Sequence, residues 1–407
     1  MKRQVLVNLM LLIIIGVTGL PEFSLFDWFL SPGIKYAVIS GVMFLFSLIF
    51  FFNYSFSGGG SVFLFGLFLY FLITVLQILR ATHLQPIDAL GEFVSLAHYF
   101  FTLILLLYVL ALHKYQARVN QRLARYILML CLALVPLSFF AYLFSPSTSL
   151  SFYDHSGHYI RLVYGSLSSS VNNLSGFSFP RLSLVFDEPG TFGALMSLVL
   201  GFLLAGRQVN HKMLIFIFVV GAFSISMSYF IVVSIILLLY FSANIVPLLL
   251  RGDLYAVLSL FFVSIILFVL FQLLKDSVLA SYVTGRLTDI LQGNHNRASG
   301  NEMALSYALV NPLGLPSSAY DDRLFPSSGM FVVTAYKGWI FTFAFVFTYI
   351  LFFLKLHLLG YRVRYLVISI IVLLFTRNNL FNVSGAYLIT IACIISIVLG
   401  SKYDRKS

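Results

Sequence analysis

Arg181 precedes Glu188 by seven residues in the stretch Pro180-Arg-Leu-Ser-Leu-Val-Phe-Asp-Glu-Pro-Gly-Thr-Phe-Gly193. The Pro189-Gly190 pair then opens an apolar run, the pattern of a helix start, where proline fits the first turn. Free N–H groups and partial positive charge gather at such a start and favour an anion, phosphate above all. Two readings of the charges are open. In one, Arg181 and Glu188 pair and pin a loop; in the other, Arg181 holds a phosphate and Glu188 serves as a base or orients the arginine.

A second group of charges lies further on. Arg286, Arg297 and Arg323 are interleaved with Asp289, Glu302, Asp321 and Asp322. The guanidinium group presents a rigid fork of donors that suits a diphosphate. Arg297 opens a short amphipathic segment, Ser299–Val310, which Asn311-Pro-Leu-Gly314 closes. Arg161 is a further candidate of the same type, and the plain alternative for all four is a solvated loop. His155 and His158, beside Asp154, lack a third ligand at a recognisable spacing, so they read as loop histidines and no metal site is expected. No Walker loop, zincin motif or nucleophile elbow occurs.

These residues sit in two polar segments of an otherwise apolar chain. Of the 407 residues 60% are hydrophobic and 10% charged, and mean hydropathy is +0.99. Soluble domains carry about 25% charged residues, so this composition excludes an ordinary soluble fold. A membrane span needs about 20 apolar residues. Apolar runs occur at Val5–Leu20, Tyr36–Phe52, Ser61–Leu79, Phe93–Leu112, Tyr126–Phe144, Thr191–Ala205, Met213–Phe223, Ser228–Leu249, Leu254–Leu274, Gly338–Leu354, Tyr365–Phe375 and Gly385–Leu399. They predict an all-α polytopic bundle of 10–12 spans forming a single integral-membrane domain over residues 1–407, with the first run as an uncleaved span. The short run at Met213–Phe223, followed by Ser-Ile-Ser-Met-Ser228, suggests a broken helix lining a polar interior. Cys131 and Cys393 lie within apolar runs and read as small core residues.

The net charge of +11 does not point to nucleic acid, because the basic residues form short clusters between apolar runs. Placing both termini inside puts Lys114, Arg118, Arg122, Arg125, Arg207, Lys212, Arg251, Lys355, Arg362 and Arg364 on the cytoplasmic side, as positive-inside bias requires. The long polar segments, about 145–190 and 275–337, then both face outward. The spans themselves hold almost no charge, which weighs against a proton- or sodium-coupled transporter.

The Arg181–Gly193 stretch resembles the signature of Wzy-type O-antigen and capsular polysaccharide polymerases, in which an Arg precedes a Phe-x-Glu-Pro at the start of a mid-chain span, here Phe186-Asp-Glu-Pro189. Asn296-Arg-Ala-Ser299 with Asn311-Pro-Leu-Gly314 is similar to that family's second outward loop. Ser327–Gly338 resembles the loop's exit, and Ser224, Ser226 and Ser228 resemble its serine-rich helix entry. Related O-antigen ligases carry a His where Ser327 and Ser328 stand, so the likeness favours a polymerase over a ligase.

The resemblance implies a GT-C-like glycosyltransferase in a bacterial inner membrane with a periplasmic active site. It would use undecaprenyl-diphosphate-linked oligosaccharides, with a flippase and a chain-length regulator as partners and no cofactor. On that reading Arg161, Arg181, Arg286, Arg297 and Arg323 hold the diphosphate. Glu188 is the first candidate for the base and Asp322 the second. A ligase, another lipid-carrier-dependent transferase, and a lipid-linked oligosaccharide flippase are the alternatives.

Overall fold

The structure is a computed structural model. It describes residues 102–110, 189–206, 211–224, 226–244, 246–254, 296–315, 329–376 and 383–400, the strands between 150 and 180, and the isolated positions 68, 69, 72, 75, 76, 257, 261, 265 and 381. The expected spans Val5–Leu20, Tyr36–Phe52 and Tyr126–Phe144 lie outside the described residues, as does Cys131. The runs at Ser61–Leu79, Phe93–Leu112 and Leu254–Leu274 are described in part.

Among the described residues the apolar stretches are helices, in which leucine, phenylalanine and the β-branched residues recur on all sides and proline occurs only in a first turn, at Pro189 and Pro247. The helices are α1 (Pro189–Ala205), α2 (His211–Ala222), α3 (Met227–Asn244), α4 (Val246–Leu250), α5 (Asn296–Val310), α6 (Met330–Lys337), α7 (Trp339–Leu358), α8 (Arg364–Thr376) and α9 (Val383–Gly400). α3 and α4 together, and α7, are the two described helices long and apolar enough to cross a membrane. At 12 and 13 residues, α2 and α8 extend only about 18–20 Å, short of ~30 Å of hydrocarbon.

α1 is the centre of the bundle. From Gly190 to Ala205 it is buried on every face, as is the helical stretch 102–110. α1 packs against α2, α3, α8 and α9. Gly193, Ser197 and Gly201 recur at every fourth position and let neighbours approach closely, as small residues do between membrane helices. Gly201 lies against the backbone of Leu366, and the Ser369 hydroxyl donates to the Ser197 carbonyl (3.1 Å). The Arg362 amide donates to the Ala205 carbonyl, so α8 runs antiparallel to α1. Phe345 of α7 meets Phe341, Tyr349 and Phe381 in an aromatic cluster within the core.

The outer faces are apolar too. On α7, Phe343, Phe347, Ile350, Leu354 and Leu358 form an exposed stripe, opposite buried Phe341, Phe345, Phe352 and Leu356. Exposed apolar surface of this extent suits lipid and is unusual for a soluble monomer. Buried Cys393 packs in the core as a small apolar residue.

The polar segment at 145–190, expected as a loop, carries short strands. It contains β1 (Leu150–Tyr153), β2 (Tyr159–Val163), β3 (Ser166–Leu167), β4 (Val171–Leu174) and β5 (Phe177–Pro180), arranged as an antiparallel β1-β2-β3 sheet and a β4-β5 hairpin. Val163 pairs with Ser166 where β2 meets β3, and Leu174 pairs with Phe177 where β4 meets β5. The segment at 275–337 likewise holds more structure than expected. α5 begins three residues before the predicted start, and α6 follows it.

Candidate functional site

The expected broken helix is a hairpin turn instead. α2 ends at Ala222 and α3 starts at Met227, antiparallel to it. The turn is held by its own side chains. The Ser224 hydroxyl donates to the Gly221 carbonyl (2.7 Å) and accepts the Ser226 amide (3.3 Å). The Ser226 and Ser228 hydroxyls share a bond of 2.9 Å, and the Tyr229 hydroxyl donates back to the Phe218 carbonyl of α2 (2.9 Å). Ser224, Ser226 and Ser228 are all buried, and their hydroxyls bond within the turn itself.

The first turn of α1 abuts this turn. A Cβ on Gly193 would lie 2.6 Å from Ser226 Cβ and 2.9 Å from Ser224 Oγ, a separation that only glycine permits. The starts of α1 and α3 therefore meet, and their partial positive charges add. Thr191, in the first turn of α1, is 6% exposed and its Oγ1 has no hydrogen-bond partner among the described residues. Side chains tilt toward the start of their helix, which carries this hydroxyl toward the unpaired N–H groups of the first turn. An unsatisfied buried hydroxyl costs about 1–3 kcal/mol.

The second polar segment returns to the same end of the bundle. Gly300, Ala304 and Ala308 of α5 are buried, and Ala304 and Ala308 pack with Val332 and Ala335 of α6. At the corner between α6 and α7, Gly338 adopts φ +87°, and a Cβ there would lie 2.7–2.8 Å from the Pro312 and Leu313 backbone. The Trp339 amide donates to the Pro312 carbonyl (2.9 Å) and its indole N–H to the Ala308 carbonyl (3.0 Å). The Thr334 and Thr342 hydroxyls bond across the corner at 2.9 Å. Phe331 of α6 meets Phe375, near the end of α8, with ring centroids 5.9 Å apart. Because α8 is antiparallel to α1, that contact lies at the end where α1 starts.

Arg297 is the second residue of α5, and Arg161 lies on β2 opposite Ser151. Arg181 follows the last residue of β5 and Glu188 precedes the first residue of α1 in the chain, but both lie outside the described residues. So do Arg286, Asp322, Arg323, Asp154, His155 and His158. Thr191 was not a candidate from sequence; its one signal is a hydroxyl directly after Pro-Gly at a helix start. Comparison with protein-family models, curated proteins and solved structures finds no match to this chain.

Proposed function

We propose that this chain is an integral-membrane polysaccharide polymerase, a metal-independent glycosyltransferase of the Wzy type. It transfers a growing undecaprenyl-diphosphate-linked glycan onto a lipid-linked repeat unit at the periplasmic face. The observation that carries the reading is the convergence of helix starts. α1, which follows the Arg181–Glu188 stretch, and the α5–α6 segment, which Arg297 opens, both join the bundle at the end where the serine-lined turn and Thr191 lie. Lys212, Arg251, Lys355, Arg362 and Arg364 belong to the opposite ends of the helices, as positive-inside bias asks of the cytoplasmic side. The bundle of about twelve spans, with both termini cytoplasmic, belongs to this proposal.

The chemistry is a displacement at an anomeric carbon. A sugar hydroxyl of the repeat unit attacks that carbon as its bond to the diphosphate oxygen breaks, and the bonding electrons leave with the diphosphate. The acceptor proton passes to Glu188, or to Asp322 if Glu188 only orients Arg181. Charge grows on the diphosphate during the step. Arginines fixed beside it, with Arg181 and Arg297 foremost and Arg161, Arg286 and Arg323 in support, stabilise the transition state more than the ground state. The Thr191 hydroxyl supplies a neutral donor at the same end.

Arg181→Ala or Arg297→Ala is expected to abolish long polysaccharide in a deletion strain while the protein inserts at its normal level. Full-length polymer from both variants would overturn the assignment. Surface glycans of the deletion strain test the reaction itself. Single repeat units on the lipid A core indicate a lost polymerase, whereas repeat units trapped on the inner leaflet indicate a flippase.

A further inference from the structure

We infer that the end of α5 is a lipid anchor: Leu309, Val310 and Leu313 insert into the outer edge of the membrane and hold the second polar segment against it. The inference rests on α7 crossing the membrane.

Three observations lead there. First, the exposed face of α5 changes character along its length. Glu302 and Ser306 are exposed in its middle beside apolar Met303, whereas toward its end the exposed residues Leu309 (67% exposed), Val310 (79%) and Leu313, just past it, are all apolar. The opposite face, with Ala304 and Ala308, is taken up by α6, so these residues have no protein to pack against among the described residues. Second, that apolar end is tied to the first turn of α7 by the Trp339 bonds to Ala308 and Pro312. Third, Trp339 stacks on Phe343 (centroids 5.4 Å, planes 27° apart), and Phe343 begins the exposed apolar stripe of α7.

Depth follows from length. The 20 residues of α7 rise about 30 Å, the thickness of the hydrocarbon, so its first turn lies at the boundary, where tryptophan collects. The exposed apolar end of α5 is therefore level with the lipid boundary and continuous with the stripe below it. Water would be the unfavourable neighbour for three bare aliphatic side chains, and acyl chains are the available alternative. Glu302 and Ser306, exposed in the middle of α5, are left to the aqueous side.

The test is spin labelling of full-length protein in liposomes, in a Cys131→Ser background with buried Cys393 retained. Labels go at Leu309→Cys, Val310→Cys, Leu313→Cys, Glu302→Cys, Ser306→Cys and Phe347→Cys, one at a time. Positions 309, 310 and 313 are expected to match 347, with a severalfold higher ratio of oxygen to nickel-chelate collisions than 302 and 306. Nickel-accessible 309, 310 and 313 beside an oxygen-accessible 347 would overturn the anchor and leave the membrane reading intact. A nickel-accessible 347 would overturn both. Should labelled variants fail to insert, Trp339 in Trp28→Phe protein serves instead. Quenching strongest by lipids brominated near the headgroup supports the boundary position, and an unquenched Trp339 refutes it.

Discussion

Replacing Thr191 by valine keeps its shape and removes a hydroxyl that has no partner among the described residues. If that hydroxyl waits for a ligand oxygen, the variant melts higher than wild type, by the equivalent of about 1 kcal/mol, and polymerises less. Thermal unfolding in detergent and polysaccharide length on a gel read the two effects separately; a lower melting point would show that Thr191 is structural. Gly193→Ala acts in the opposite sense. Its methyl would meet Ser226 Cβ at 2.6 Å, and overpacking of this kind costs typically 1–3 kcal/mol. A variant as stable as wild type would contradict a close α1–α3 contact at Gly193. Neither residue's part is legible from the chain alone. Arg181 and Glu188 attract attention by their charge, but a neutral hydroxyl becomes informative only once packing has left it without a partner.

At the scale of elements, the corner between α5 and α7 is held by few bonds, and one of them comes from a single indole. Trp339→Phe deletes the indole N–H that reaches the Ala308 carbonyl. A loss of about 1 kcal/mol there should speed amide exchange in Asn296–Val310 by about fivefold, measured by mass spectrometry. Unchanged exchange would locate the anchoring of α5 elsewhere. The helices themselves were largely readable. Thr191–Ala205 became Pro189–Ala205, and Tyr365–Phe375 became Arg364–Thr376, because long apolar runs leave little freedom of assignment. The strands of 150–180 were not readable. Four-residue runs such as Val171-Asn-Asn-Leu174 carry too little alternation, and their pairing depends on partners elsewhere in the segment. α6 was hidden for a related reason. Met330–Lys337 reads as the exit toward α7 until the reversal at Gly338 divides the two.

For the molecule as a whole, hydropathy predicted where the chain is apolar, and the structure adds which apolar helices are enclosed. α7 presents one face to its surroundings, whereas α1 presents none. Composition cannot separate these cases, since both helices are apolar all round; the small residues Gly193, Ser197 and Gly201 are the trace that α1 leaves. A charge inside α1 should therefore be tolerated far less than one on the exposed side of α7. Leu198→Lys is expected to prevent stable accumulation in the membrane, whereas Leu358→Lys, in the last turn of α7, should be accepted. Comparable amounts of both proteins after carbonate extraction would contradict the enclosed position of α1.

That enclosure also sets a timetable. α8 and α9, which close over α1, begin only after Arg362, whose amide meets Ala205 at the end of α1. At about 5–20 residues per second, α1 is complete roughly 8–30 s before the ribosome has made the helix that fills its Gly201 notch. During that interval the groove along Ser197 and Gly201 is open to lipid, to the insertion machinery, or to a wrong helix. A chain stopped after Leu358 would be frozen in that state, and rapid proteolysis of such a fragment, set against persistence of the full chain, is the result to expect.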